Sequence, residues 1–362
     1  SWVRVLANQM HDILPGTSIP RAYTYSWNDE VLAMNGFADV LTTAVGQIAS
    51  QMDTRIEGEP LVVFNPLSID RADVVRARLD APESGFLRVF DADGVEAPSQ
   101  EVSRSGGEIE LLFLARVAAN SAKVFDVRQS PRPYQNVSTL SIDARTLENE
   151  RYRVRVNDAG DVASIFDKAN GRELLSRPHR LVLTYEKPRN WPAWNMDWAD
   201  RQRPPIGFID GEPSFRIVEA GPVRVSLEIT RTAHNSTVTQ RIQLAAGGVG
   251  DIVEFDTRID WQSAGAALRA EFPLTVSNPT ATYNWGLGTI DRGNNEPLKY
   301  EVPSHEWFSL SDSSGDYGVT IVEDSKFGSD KPADDVVRLT LLYSPGVRNW
   351  YMDQHSQDWG IH

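Results

Sequence analysis

Between residues 18 and 52 the apolar side chains of Met34, Phe37, Leu41, Val45, Ile48 and Met52 recur at steps of three and four. This is the spacing that lines one face of an α-helix. Gly36 and Gly46 weaken the pattern without breaking it. A shorter helix-like stretch, "SWVRVLANQM", precedes it and runs into Pro15-Gly16, so His11 and Asp12 are expected in the last turn of a helix that stops there. Together these segments predict a helical hairpin of about fifty residues, too small to stand alone, whose apolar face must pack on something else.

The pattern then changes period. From "EPLVVFNPLSIDRADVVRARL" onward, short β-branched and aromatic runs alternate with turn signals such as Asp93-Gly94 and Gly106-Gly107, which predicts antiparallel sheet. The polar segment "DVRQSPRPYQNVSTL" carries two prolines and predicts a linker around residues 128 to 140. In "LENERYRVRVNDAGDVASIFDKANGRELL", alternating strands flank Asn157 to Gly160 and a second turn follows at Asn170-Gly171, as in a β-meander. Further strands are expected at "FRIVEAGPVRVSLEITRT", "STVTQRIQLAAG", "IVEFDTRIDW", "LRAEFPLTV" and "YGVTIVED". At least eight strands without a long helix exceed one open sheet, so two stacked sheets are expected. The fold class is mainly β, divided into a helical piece over 1–54, a small β-sandwich over 55–137 and a large β region over 138–362.

Composition narrows the chemistry. The 362 residues carry a net charge of -14 and show no basic patch, which argues against nucleic-acid and membrane partners. With no cysteine, disulfides and thiolate metal sites are excluded, and any zinc must be held by nitrogen and oxygen. No uninterrupted apolar run approaches the ~18 residues that span a bilayer, and the start lacks the features of a leader. The expected location is cytoplasmic.

Two stretches carry candidate chemistry. "NQMHDILPGT" places His11 beside Asp12; on chemistry alone such a pair at a helix end is a capping or packing pair more often than a site. "YEKPRNWPAWNMDWADRQRPP" holds Trp191, Trp194 and Trp198 within eight positions, framed by prolines. Their rings either fill a join between domains or stack on sugars, with Asn190, Asn195 and Asp197 at hand for hydroxyls. His355, Asp358 and His362 resemble a metal cluster when taken cold. His179 and His305 carry no specific signal. Asp334-Asp335, Asp29-Glu30 and the acids near Asp324 read as solvated charges.

The ordered series "NQMHDILPGTSI", "VVFNPLSIDRADVV", "LENERYRVRVNDAGDVASIFDKANGRELL", "EAGPVR", "STVTQRIQL", "LRAEFPL", "YEVPSHEWFSLSD" and "LTLLYSP" resembles glycoside hydrolase family 38, the α-mannosidases, along nearly the whole chain. The resemblance implies the end of a three-helix middle domain, a small β-sandwich and a large galactose-mutarotase-like super-sandwich, with the family's N-terminal catalytic β/α domain missing. It makes His11 one zinc ligand and Asp12 a sugar contact, and it implies a structural turn at the Asp-x-Gly-x-His of residues 358–362. The family often carries an aromatic-acidic patch where Trp191, Trp194 and Trp198 read as substrate-binding, though the Trp-Pro-Ala-Trp here departs from its commoner form. The nucleophile and the acid/base carboxylate then lie outside this sequence, so no catalytic residue is expected within it. The parent is expected to be a retaining, zinc-dependent enzyme acting on mannose-containing oligosaccharides, and the chain alone inactive without tight zinc. Unpaired sheet edges make a homo-oligomer a further expected partner. The alternative is a non-catalytic carbohydrate-binding or assembly module on a mutarotase-like sandwich.

Overall fold

The computed structural model describes residues 1–135, 138–192, 194–346 and 360–362. Two helices lead: α1, Trp2–Asn8, and α2, Pro20–Ala49. Proline at its start suits α2, because the missing N–H is one that a first turn leaves unpaired. The α1 helix ends at Asn8, seven residues before Pro15, which corrects the expectation that His11 and Asp12 ride on a helical last turn. Local bonds compete with the helix there. The backbone carbonyl of Asp12 accepts from Thr17 N at 3.1 Å and from the Tyr23 hydroxyl at 3.0 Å. The Asp12 carboxylate accepts from Thr17 Oγ1 at 2.9 Å. The two helices meet through Trp2 edge-on to Phe37 at 5.1 Å, Arg4–Asp29 at 3.3 Å, and Asn8 Nδ2 donating to Ser26 O at 3.1 Å.

Only Ser26 and Ala33 of α2 are buried, and the predicted stripe residues Met34, Leu41 and Ile48 are exposed. By length and composition α2 is also long and apolar enough to cross a membrane, correcting the expectation that no such segment exists. Counting unbroken apolar runs missed it, since polar Asn35 and Gln47 interrupt a stretch, 31–48, in which Asp39 is the one charged residue.

Seven strands follow in two sheets. One orders Glu59–Asn65, Ser121–Ser130, Phe86–Phe90 and Glu96–Ala97; the other orders Arg71–Asp80, Glu108–Val117 and Ser99–Ser105. Leu79, Ile109 and Phe113 from one sheet share a core with Val89, Phe125 and Val127 from the other. The Gly106-Gly107 hairpin has φ +62° and +85°, the pair of left-handed residues a tight two-residue turn requires.

The rest of the described chain forms four sheets around one continuous core rather than the two stacked sheets expected. Short strands and register shifts, as between Leu268 and Arg269, let the layers bend away from a flat pair. The predicted meander is present as Tyr152–Val156, Val162–Asp167 and Arg172–Glu173, with Gly160 and Gly171 at positive φ in its turns. A five-stranded sheet centred on Ser236–Ala245 faces a six-stranded one containing Arg180–Tyr185, Ala266–Pro273 and Val336–Ser344. In the six-stranded sheet Leu181, Leu183, Leu268, Phe272, Val337 and Leu339 point to the core. Strand alternation then sends Thr184, Arg269, Glu271, Arg338 and Thr340 to the opposite face.

Candidate functional site

The first candidate is the turn between the two helices. Asp12 is fixed by Thr17 on one carboxylate oxygen, while Oδ2 lies 3.3 Å from Nε2 of His11. Tyr23 ties the turn together by donating to Asp12 O and accepting from Ser18 N at 2.9 Å. The His11 side chain is 86% exposed and that of Asp12 31%, so the imidazole is presented outward from a carboxylate that is held. Among the described residues no group of three or more His, Asp or Glu side chains is placed to hold a metal. One imidazole nitrogen and an adjacent carboxylate do not make a zinc site, which takes three or four protein ligands. They fit the contribution of one ligand to a site completed from elsewhere.

The second candidate is the tryptophan loop between Arg180–Tyr185 and Gly207–Phe208. Trp191 adopts φ +52°, and its carbonyl accepts from the backbone N–H groups of Trp194 and Asn195, closing a turn. The loop is pinned along its length. Asp197 accepts from Arg189 N at 2.7 Å and Asp200 from Lys187 N at 2.8 Å. Tyr343 donates to Asn195 O at 2.9 Å and Tyr300 to Met196 O at 2.6 Å. Trp191 and Trp194 remain more than half exposed. Trp198, at the head of the short helix Trp198–Arg201, packs against Tyr300 with ring centres 5.3 Å apart. The three rings therefore divide: two face outward, and one is a prop. Asn195, named as a hydroxyl partner, spends its amide on Asn190 O at 3.0 Å.

Beneath this loop lies a feature the strand pattern did not reveal. On the non-core face of the six-stranded sheet, Glu186, Glu301 and Asp330 interleave with Arg201, Arg269 and Arg338. Arg201 Nη2 reaches Glu301 at 3.1 Å and Glu186 at 3.3 Å. Arg269 donates to Glu301 at 2.6 Å and to Thr184 at 3.2 Å. Arg338 grips Asp330 with two bonds of 2.8 and 2.5 Å. Burial pushes the Glu186 carboxyl above its ordinary range, against the pull of Arg201 and Arg269. Burial likewise draws the Arg201 guanidinium down. Opposed by burial, Glu301, Asp330 and Glu186 hold the Arg269 guanidinium above its ordinary value. The loop is thus clamped to the sheet through Arg201. The sequence signal was present in Arg269, Glu271 and Arg338, charged residues at mid-strand positions where only a covered polar face can keep them.

The other named residues do not join either place. His179 is buried, stacked on Phe272 with ring centres 4.4 Å apart, its Nδ1 2.8 Å from Glu271 O. Burial lowers it to about 4. Asp29 pairs with Arg4, and Asp334 is exposed in a turn. His355 and Asp358 lie outside the described residues, while His362 pairs through its backbone with Ile259.

Residues 147–347 match the family model described as Glycosyl hydrolases family 38 C-terminal domain. Among curated proteins, the chain is 25% identical to Alpha-mannosidase 2C1 of Mus musculus, covering 95% of this chain and 31% of that protein. It is 24% identical to Alpha-mannosidase G of Dictyostelium discoideum, over 95% of this chain and 34% of that protein. Among solved structures, an alpha-mannosidase from Enterococcus faecalis V583 superimposes with a TM-score of 0.81 at 16% identity, covering 100% of this chain and 49% of that one. That likeness shows the fold. The chain spans about a third of the length of the two curated relatives.

Proposed function

The chain belongs to glycosyl hydrolase family 38, and from that premise we propose that it is the helical-turn and β-sandwich part of a retaining, zinc-dependent α-mannosidase acting on mannose-containing oligosaccharides. The catalytic carboxylates come from a β/α domain outside these residues. The observation that carries this reading is the turn at residues 11–17, where an exposed imidazole stands beside a carboxylate fixed by Thr17. A structural cap has no need of an imidazole turned to solvent.

In the proposed whole protein, His11 gives one ring nitrogen to zinc. Bound there, the metal supplies a Lewis acid and a template for sugar hydroxyls. Asp12 accepts hydrogen bonds from those hydroxyls with the lone pairs that Thr17 leaves free. Trp191 and Trp194 offer ring faces at the cleft wall, and Trp198 supports them through Tyr300. The β-sheets hold the loop in place and exclude water from that side of the cleft. By itself the chain has no nucleophile and is inactive.

Turnover of an aryl α-mannoside tests this directly. The protein carrying its upstream catalytic domain hydrolyses it, the chain of residues 1–362 does not, and Asp12→Ala in the longer protein lowers kcat/KM by about 10²-fold, a loss of ~2.7 kcal/mol of transition-state binding. Hydrolysis by the isolated chain, or saccharide binding without turnover in the longer protein, overturns the reading.

A further inference from the structure

Away from both candidates, the hairpin Thr280–Asn284/Thr289–Gly293 meets the edge of the six-stranded sheet around a cavity of about 430 Å³. That volume lies in the ~300–1,000 Å³ range of small-molecule sites. Tyr283 lines it while being only 1% exposed, and its hydroxyl makes no hydrogen bond among the described residues. The ring is buried while the hydroxyl opens on the cavity, where water or a ligand meets it. Burial raises its pKa, so it is a neutral donor near pH 7.

Arg292 supplies the second unspent group. One guanidinium nitrogen donates to Pro303 O at 2.5 Å, and the head stands 5.1 Å from the Tyr283 ring centre and 5.0 Å from that of Trp285. Its other two nitrogens have no acceptor among the described residues. Lys331, 1% exposed, donates to Asn294 at 2.6 Å and to Ala333 O at 2.8 Å, which uses two of its three N–H bonds.

The charge of the lining selects the ligand. Arg292, Lys299 and Lys331 stand against Asp291 and Glu296 in the lining, a mixed set of charges that favours neither a bare cation nor a bare anion. What remains is a neutral molecule that both donates and accepts hydrogen bonds and has apolar edges to lie on Ile290 and Val302. We propose that this cavity binds one or two sugar residues of an oligosaccharide, held by Tyr283, Arg292 and Lys331, as a saccharide site separate from the His11 turn and the tryptophan loop.

The choice of mannose as the probe rests on the function proposed above; the site itself does not. Titration of the chain with α-mannobiose, followed by calorimetry or ligand-observed NMR, reads it. Saturable binding is expected, weakened at least tenfold in Tyr283→Phe and unchanged in Glu83→Gln, an exposed change on the small sandwich. Loss of an unpartnered hydroxyl leaves the melting temperature of Tyr283→Phe the same or slightly higher, which separates a ligand contact from a packing role. Lys299→Ala, an exposed change, gives a smaller loss. Absence of saturable binding, binding insensitive to Tyr283→Phe, or displacement by inorganic phosphate overturns the proposal. Binding of cellobiose instead of α-mannobiose supports the site and counts against mannose as its sugar. Failure of the α-mannosidase reading appears separately, as absent turnover in the longer protein with α-mannobiose binding intact.

Discussion

The helix Pro20–Ala49 and the strand Ala266–Pro273 are both rich in apolar residues and meet opposite fates. In the strand, Leu268 and Phe272 enter the common core, and the alternate residues Arg269 and Glu271 enter a covered ionic layer on the other face. In the helix, Trp27, Val31, Met34, Leu41 and Ile48 remain exposed, with the short α1 against one side. A period of 3.6 marks which face of a helix wants burial, but it does not supply the partner that buries it. The β region owns its core. The helical region owns half of one.

Breaking the ionic layer gives the largest effect that separates the two. Asp330→Ala leaves Arg338 without its doubly bonded buried counter-charge and removes one of the three carboxylates around Arg269, and is expected to cost about 3–5 kcal/mol. Urea unfolding followed by tryptophan fluorescence measures it, and a loss under ~1 kcal/mol would show the layer to be solvated. His179 gives the next effect. Held near 4 in the fold and titrating near 6.5 when unfolded, it binds fewer protons in the native state between those values. Its stabilisation is therefore complete above about pH 6.5 and is lost as pH falls toward 4, by about 3 kcal/mol. Glu323, raised to about 7 by burial and by Glu306 and Asp324, acts with the opposite sign between 4.5 and 7. The measurement is consequently the difference between the wild type and His179→Phe, whose stability should fall less steeply with acid. Parallel pH profiles would contradict it. Smallest is the helical change: Leu41→Gln on the open face should leave unfolding of the β region within ~0.5 kcal/mol of the wild type. A shift comparable to that of Leu268→Ala, for which about 2–5 kcal/mol is expected, would mean that the two regions share a core.

Much of this architecture was legible because local signals and packing agreed. The meander around Asn157–Gly160 had both alternation and turn residues, whereas α2 was legible from its 3.6 period alone, its stripe left largely unpacked. What stayed hidden depends on contacts distant in sequence. The end of α1 is set by Thr17 and Tyr23 reaching back to Asp12, five and eleven residues away. Arg201 finds its partners at Glu301 and Asp330, a hundred residues or more along the chain. The number of sheets was underestimated because bulged, two-residue strands such as Val302–Pro303 leave almost no periodic trace. At the candidate site, Trp198 was grouped with Trp191 and Trp194 by spacing, whereas Tyr300, which separates their roles, lies far downstream.

The proposed role of the outward-turned His11 imidazole is to complete a metal site. Zinc stoichiometry of the longer protein, measured by mass spectrometry with melting temperature recorded alongside, tests this most directly. His11→Ala is predicted to lower bound zinc well below one per chain while the melting temperature of the β region is unchanged, and Asp12→Ala to keep the metal. Full zinc occupancy in His11→Ala, with undiminished turnover, would contradict it.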